Sequence, residues 1–212
     1  MHIEIFSDVV CPWCYIGKRR LDAILDSPAG EGLSVTWRPY QLYPQIPEEG
    51  IPRQTFMAAR FGDGAQASEI YQRIRAEAEQ EGLELDFEGI RMAPNTLRAH
   101  RLLSWAENSG RQHELAEALF RSYFREGRDV GDPEVLAAVA GEAGLDPDAA
   151  AAMLVSQDEV DKVRQELSLA EAVGVTGVPF FVMAGKFAIP GAQPREVMAQ
   201  LIERARERLA TA

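Results

Sequence analysis

The chain has 212 residues, 46% of them hydrophobic and 26% charged, with a formal net charge of -11. That length and composition support a sizeable packed core and exclude disordered, collagen-like and disulfide-stapled classes. The 33 acidic against 22 basic side chains repel nucleic-acid phosphates and anionic lipid. The longest apolar stretch, residues 177–184, falls far short of the roughly 20 residues a membrane helix needs, so neither nucleic acid nor membrane is expected as a partner.

The opening Met1-His2-Ile3-Glu4 has neither a basic start nor an apolar signal core, so the chain is expected to begin directly with folded structure, in the cytoplasm. Residues 2–6 alternate polar and apolar and predict a strand leading to Cys11-Pro12-Trp13-Cys14. Pro12 suits a first helical turn, and Ile16, Leu21, Ile24 and Leu25 form a helical apolar stripe, so Cys11 stands at a helix N-terminus. Residues 33–38 predict a second strand whose ladder Pro39 stops, completing a β-α-β unit.

A Pro- and Gly-rich connector over 44–52 opens a region of helical signals that extends to about residue 173. Asp132-Pro133 and Asp146-Pro147 read as N-cap and first-turn pairs, and Gly110, Gly127, Gly144 and Gly174 stand where helices would stop. Strands return at 178–183 and 187–189 around the turn Ala184-Gly185-Lys186. An amphipathic helix over 193–209 follows, with Val197, Leu201, Ile202, Ala205 and Leu209 inward. The organisation predicted is an α/β unit made of residues 1–44 and 174–212, interrupted by a helical insertion over 45–173.

Two cysteines three positions apart in a cytoplasmic chain point to redox or metal chemistry rather than a structural framework. A metal needs about four ligands. Besides the two cysteines only His2, His100 and His113 are on hand, without a second paired spacing, so no metal is expected. Disulfide exchange needs an exposed, partly ionised attacking sulfur, which a helix N-terminus favours, and a second sulfur one turn on to release the partner. Cys11 therefore attacks and Cys14 resolves. Val178-Pro179 before a strand predicts a cis peptide bond, and such a bond beside the cysteines would present the backbone of Val178 to a substrate chain. Trp13, Tyr15, Trp37, Tyr40 and Tyr43 are candidates to frame an apolar groove, with Trp37 the better core residue.

Cys-Pro-Trp-Cys after a strand, a long helical insertion and Gly177-Val-Pro-Phe-Phe-Val182 together resemble the DsbA family. Phe6–Gly17, Pro94–His100, Glu126–Pro133 and Gly191–Pro194 resemble its FrnE-like branch. The resemblance implies a thioredoxin-like fold carrying an inserted all-helical domain, with Cys11 as nucleophile, Cys14 as resolving thiol and Pro179 as the cis proline. It also brings Pro12, Trp13, Val178, Asn95 and His100 to the substrate cleft, although Asn95 reads equally as a helix cap and His100 as an interior side chain. Relatives with a His between the cysteines gain an imidazolium aid that Trp13 does not supply, so a weaker oxidant, held largely reduced by a cytosolic glutathione pool, is expected.

The function read from these residues is a thiol–disulfide oxidoreductase acting on thiol or disulfide-containing proteins or small molecules, with no cofactor beyond its own cysteine pair and with glutathione as the candidate co-substrate. An alternative is a glutathione-dependent isomerase or transferase of the kappa or hydroxychromene-carboxylate type. Those enzymes usually carry Ser at the first active position, and Cys11 argues against it. A further alternative is a non-enzymatic, redox-sensitive, chaperone-like binding module.

Overall fold

The computed structural model describes residues 1–62, 65–172 and 174–211, so Val173, the expected upper boundary of the insertion, lies outside the described residues. At the centre is a four-stranded sheet of order β2-β1-β5-β6. Strand β1 (His2–Ser7) runs parallel to β2 (Ser34–Pro39) and antiparallel to β5 (Phe180–Met183), which pairs with β6 (Phe187–Pro190). The parallel pair needs a crossover, supplied by helix α1 (Pro12–Leu25). Antiparallel β5 and β6 need only a tight turn, in which Ala184 and Gly185 take φ of 50° and 64°.

Pro39 does not end the ladder before itself: it is the last residue of β2, opposite Ser7, and Tyr40 N–H still bonds to Ser7 O at 3.1 Å. The strand tolerates it because β2 is an edge strand, where a missing N–H costs no ladder bond.

The segment between β2 and β5 is helical: α2 (Arg53–Phe61), α3 (Ala65–Gln80), α4 (Leu97–Ala106), α5 (Gln112–Phe124), α6 (Pro133–Glu142), α7 (Pro147–Val155) and α8 (Val160–Ala172). It also holds a minimal ladder, β3 (Ile51–Pro52) with β4 (Met92–Ala93), too short for period-2 patterning to reveal. Asp132 caps α6 through bonds from Glu134 and Val135 N–H at 2.8 and 3.1 Å, and Asp146 caps α7 in the same way at 2.9 and 3.2 Å. Helix α9 (Arg195–Ala210) closes the chain against α1. Its inward face carries Met198, Ile202 and Ala205, whereas Val197, expected inward, is 38% exposed; the adjacent Met198 takes the core position.

One apolar core runs through both segments. Tyr15 of α1 stacks on Phe120 and Phe124 of α5, with centroids 5.1 and 6.2 Å apart, and Ile3, Ile5, Ile16, Leu21, Leu102 and Leu119 are all buried in the same cluster. Burying each of the larger aliphatic side chains is worth about 1.5–3 kcal/mol. One buried arginine joins the segments and a second braces the insertion from within. Arg20 of α1 bonds Glu77 and Glu81 at 2.6 and 2.8 Å and the Ala192 carbonyl at 2.7 Å. Arg101 of α4 donates to the carbonyls of Met153, Leu154, Ser156 and Asp158, holding the α7–α8 connection.

Candidate active site

Strand β1 ends at Ser7, and the turn closed by Cys11 N–H on Asp8 O at 3.0 Å delivers Cys11 to the N-cap of α1. Pro12 follows at the first helical position, where its absent N–H is one of those left unpaired in any case. Cys14 N–H and Tyr15 N–H bond to Cys11 O at 3.0 and 3.3 Å, so the first turn carries both sulfurs on one side. Both cysteines are free thiols.

Cys11 is more enclosed than the sequence leads one to expect, at 4% exposed, and Cys14 is 1% exposed. Across the site, the Val178–Pro179 peptide bond is cis, and the Cys11 thiol donates to the Val178 carbonyl at 3.6 Å. Pro179 O accepts from Gly191 N–H at 2.8 Å, which ties this loop to the chain leaving β6. Gly17, one turn beyond Cys14, lets the loop approach: a Cβ there would stand 3.0 Å from Pro179 Cγ and 3.3 Å from Phe181 Cζ.

Burial pushes the Cys14 thiol well up from its ordinary value, and Cys11 beside it adds to the effect; the Ser7 hydroxyl and the Asp8 backbone oppose it only in part. Asp8 and His100 lie buried behind this turn. Asp8 Oδ2 accepts from Leu42 N–H at 2.8 Å, while its Oδ1 faces His100 Nε2 at 3.5 Å, neither of these two atoms having a hydrogen-bond partner among the described residues.

A cavity of about 360 Å3 opens beside Cys11, between the thioredoxin-like segment and the insertion. Cys11, Pro12, Trp13 and Val178 form one wall; α2, α3, the loop after α3 and the end of α5 supply an aromatic remainder that includes Phe56, Phe61, Tyr71, Phe87, Tyr123 and Phe124. Of the five aromatics expected to frame a groove, Trp13 and Tyr43 line it. Tyr15 and Trp37 are core residues, and Tyr40 packs beside Phe6, Ala170 and Val175. Neither Asn95 nor His100 lines the cavity. Asn95 Oδ1 accepts from Leu97 N–H at 3.0 Å, capping α4, and its amide donates to Ile46 O at 2.7 Å. The insertion's wall has no local signature, because its residues are far apart in the chain and each reads singly as helix core. A larger hollow of about 560 Å3, lined by charged residues such as Arg75, Glu79 and Arg121, does not include the cysteines.

These features can be set beside known proteins. A family model described as the DSBA-like thioredoxin domain matches residues 2–203. The probable DsbA oxidoreductase SCO1869 of Streptomyces coelicolor superposes with a TM-score of 0.88 at 35% identity, over 98% of this chain and 90% of that one. The uncharacterized protein YwbO of Bacillus subtilis (strain 168) is 29% identical over 203 residues, 95% of this chain and 96% of its own. The cytosolic disulfide reductase DsbM of Pseudomonas aeruginosa, solved with GSH, has the same fold, with a TM-score of 0.70 at 18% identity over 97% of this chain and all of its own. With a cysteine pair at the head of α1, a cis proline facing it and a helical insertion between, the chain belongs to the DSBA-like family of thiol–disulfide oxidoreductases.

Proposed function

We propose that the chain exchanges thiols and disulfides through a mixed disulfide at Cys11 that Cys14 resolves. The observation that carries this reading is the placement of both free thiols on the first turn of α1, with Cys11 facing the Val178 carbonyl and opening onto a cavity. Cys11 is the N-cap of α1, so the partial positive charge of that helix end lies beside the place where sulfur anions form and leave during exchange.

In the reducing direction, the Cys11 thiolate attacks one sulfur of the substrate. A Cys11–S bond forms, the substrate S–S bond breaks and one thiolate leaves. Cys14, after losing its proton, attacks Cys11 Sγ, closes the protein disulfide and expels the second thiol. The substrate gains the two electrons that the protein dithiol loses, and two equivalents of an external thiol restore the dithiol and leave joined as their own disulfide. Run backwards, the same steps oxidise a substrate dithiol.

Glutathione is the external thiol this reading favours, and the glutathione bound to the fold relative DsbM supports it. The description of DsbM as cytosolic supports a cytoplasmic setting. Within the family, the segments Phe6–Gly17, Pro94–His100, Glu126–Pro133 and Gly191–Pro194 favour the FrnE-like branch. Pro12, Trp13 and Val178, which line the cavity, are the residues we assign to substrate contact.

The test is insulin disulfide turnover by wild type, Cys11→Ser and Cys14→Ser, with mass spectrometry of trapped species. Loss of turnover in both variants, with a substrate adduct on Cys11 in Cys14→Ser, is the expected result. Turnover indifferent to Cys11→Ser would overturn the reading.

A further inference from the structure

The cavity beside Cys11 is built for a narrower class of molecule than disulfide exchange requires. Its volume of about 360 Å3 lies within the range of small-molecule sites, roughly 300–1,000 Å3. Trp13, Phe56, Tyr71 and Tyr123 give it flat apolar walls, which reward a planar ring more than a flexible polar chain. Into this lining projects a cation. Arg53, the first residue of α2, is half-buried, and its guanidinium bonds the phenol oxygens of Tyr71 at 2.9 Å and Tyr123 at 3.5 Å, lying 5.7 Å from the Tyr71 ring centroid.

Both of those partners are neutral, and among the described residues no carboxylate forms an ion pair with Arg53. Glu88, which feels the Arg53 charge, is itself bonded to Arg75. A guanidinium fixed by neutral phenols keeps its full charge and a fork geometry suited to a carboxylate, in surroundings less wet than bulk water. A redox sulfur, aromatic walls and an uncompensated guanidinium thus share one small cavity.

We propose that this cavity binds a small aromatic thiol or disulfide bearing a carboxylate, its ring between the walls contributed by Trp13 and the insertion and its carboxylate on Arg53. The inference rests on the exchange reading and narrows its substrate class. Chemically, the ring-bearing S–S bond breaks as the Cys11–S bond forms, one ring thiolate leaves, and closure of Cys11–Cys14 expels the second. The two electrons come from the protein dithiol, which dithiothreitol restores.

The test uses the reduced full-length protein and stopped-flow release of thiol from three probes. They are 4,4′-dithiodibenzoate, its neutral 4,4′-dithiobis(benzamide) counterpart and the aliphatic 3,3′-dithiodipropionate. Each rate is divided by that of free dithiothreitol with the same probe, which removes intrinsic reactivity. After this correction we expect dithiodibenzoate to exceed both others about tenfold, the gain of one charge-assisted contact. Arg53→Met should lower the carboxylate-to-amide rate ratio about tenfold, Arg53→Lys should restore part of it, and Phe56→Ala should slow both aromatic probes relative to the aliphatic one. Equal corrected rates for the three probes, or an unchanged ratio in a folded Arg53→Met, would overturn the proposal. Insulin turnover separates the two readings: if it persists and needs Cys11 while the aromatic preference is absent, only the substrate class is wrong; if it too is absent, the exchange reading fails.

Discussion

The Cys11 thiol points at the Val178 carbonyl oxygen 3.6 Å away, so the first residue of the redox pair faces one 167 positions further along the chain. Two elements maintain this meeting. The N-terminus of α1 fixes the sulfur, and the hydrogen bond of Pro179 O to Gly191 N–H anchors the opposing loop to the end of β6. A substrate sulfur approaching Cys11 therefore arrives beside a backbone acceptor already in place, which lowers the ordering cost of the encounter.

The resolving step should depend steeply on pH. Burial pushes the Cys14 thiol well up, and only its thiolate can attack the mixed disulfide. In a single-turnover experiment with a preformed Cys11 adduct, we expect the release rate to climb about tenfold per pH unit across neutral and mildly alkaline solution. A rate flat from about pH 7 to 9 would show that Cys14 ionises with ease in the folded protein.

Gly17→Ala should impair exchange more than folding. The new methyl would stand 3.0 Å from Pro179 Cγ, so the proline and the Val178 carbonyl attached to it must shift by a few tenths of an ångström. Overpacking of this kind costs about 1–3 kcal/mol, and misplacement at a reacting centre costs rate as well. We expect a folded protein with a several-fold lower rate of Cys11 adduct formation. Wild-type kinetics would mean that the loop absorbs the methyl without moving the carbonyl.

Arg101 holds four backbone carbonyls of the α7–α8 connection from a position 5% exposed. Arg101→Met keeps much of the side-chain volume but leaves those acceptors unpaired, and we expect a loss of about 3 kcal/mol in a chemical denaturation curve. A change under about 0.5 kcal/mol would show that water replaces the guanidinium there.

Acid should weaken the joint between α1 and the insertion. Burial alone would raise Asp22 and Glu81, but His113 and Lys18 outweigh it at Asp22, and Arg20 and Arg195 at Glu81, holding both carboxyls below their ordinary values. A carboxyl whose folded value is depressed contributes stability above its unfolded value, here about 4, and loses it as pH falls through the folded value. Thermal midpoints should fall as pH drops below about 4, and Arg20→Met should cost more at pH 7 than at about pH 3. An equal cost at both would remove charge pairing from the account of Arg20.

Much of the framework is legible because its signals are short-range. The period-2 run before Cys11, Pro12 at a helix start, and Asp132 and Asp146 as caps each depend on neighbours within a few residues, and the structure places all of them as local chemistry demands. The errors share one cause. Val197 and Met198 are adjacent apolar residues, and which of them turns inward depends on the angle at which α9 meets the sheet. Tyr15 and Tyr40 are good groove residues by type, but stacking on Phe120 and Phe124 of α5 draws Tyr15 into the core, and packing beside Ala170 of α8 holds Tyr40 half-buried away from the cavity, whereas Trp37 is in the core as expected.

The sequence by itself determined a redox pair at the head of a helix, a proline segment before a returning strand and a long helical interruption, because spacing and turn chemistry are written locally. Only the tertiary structure decided that Cys11 is nearly covered, that it meets Val178, and that Arg53 with the aromatics of α2, α3 and α5 walls a cavity at its side. Those relationships join residues tens to more than a hundred positions apart. They follow from how the interior packs, and packing depends on every side chain at once.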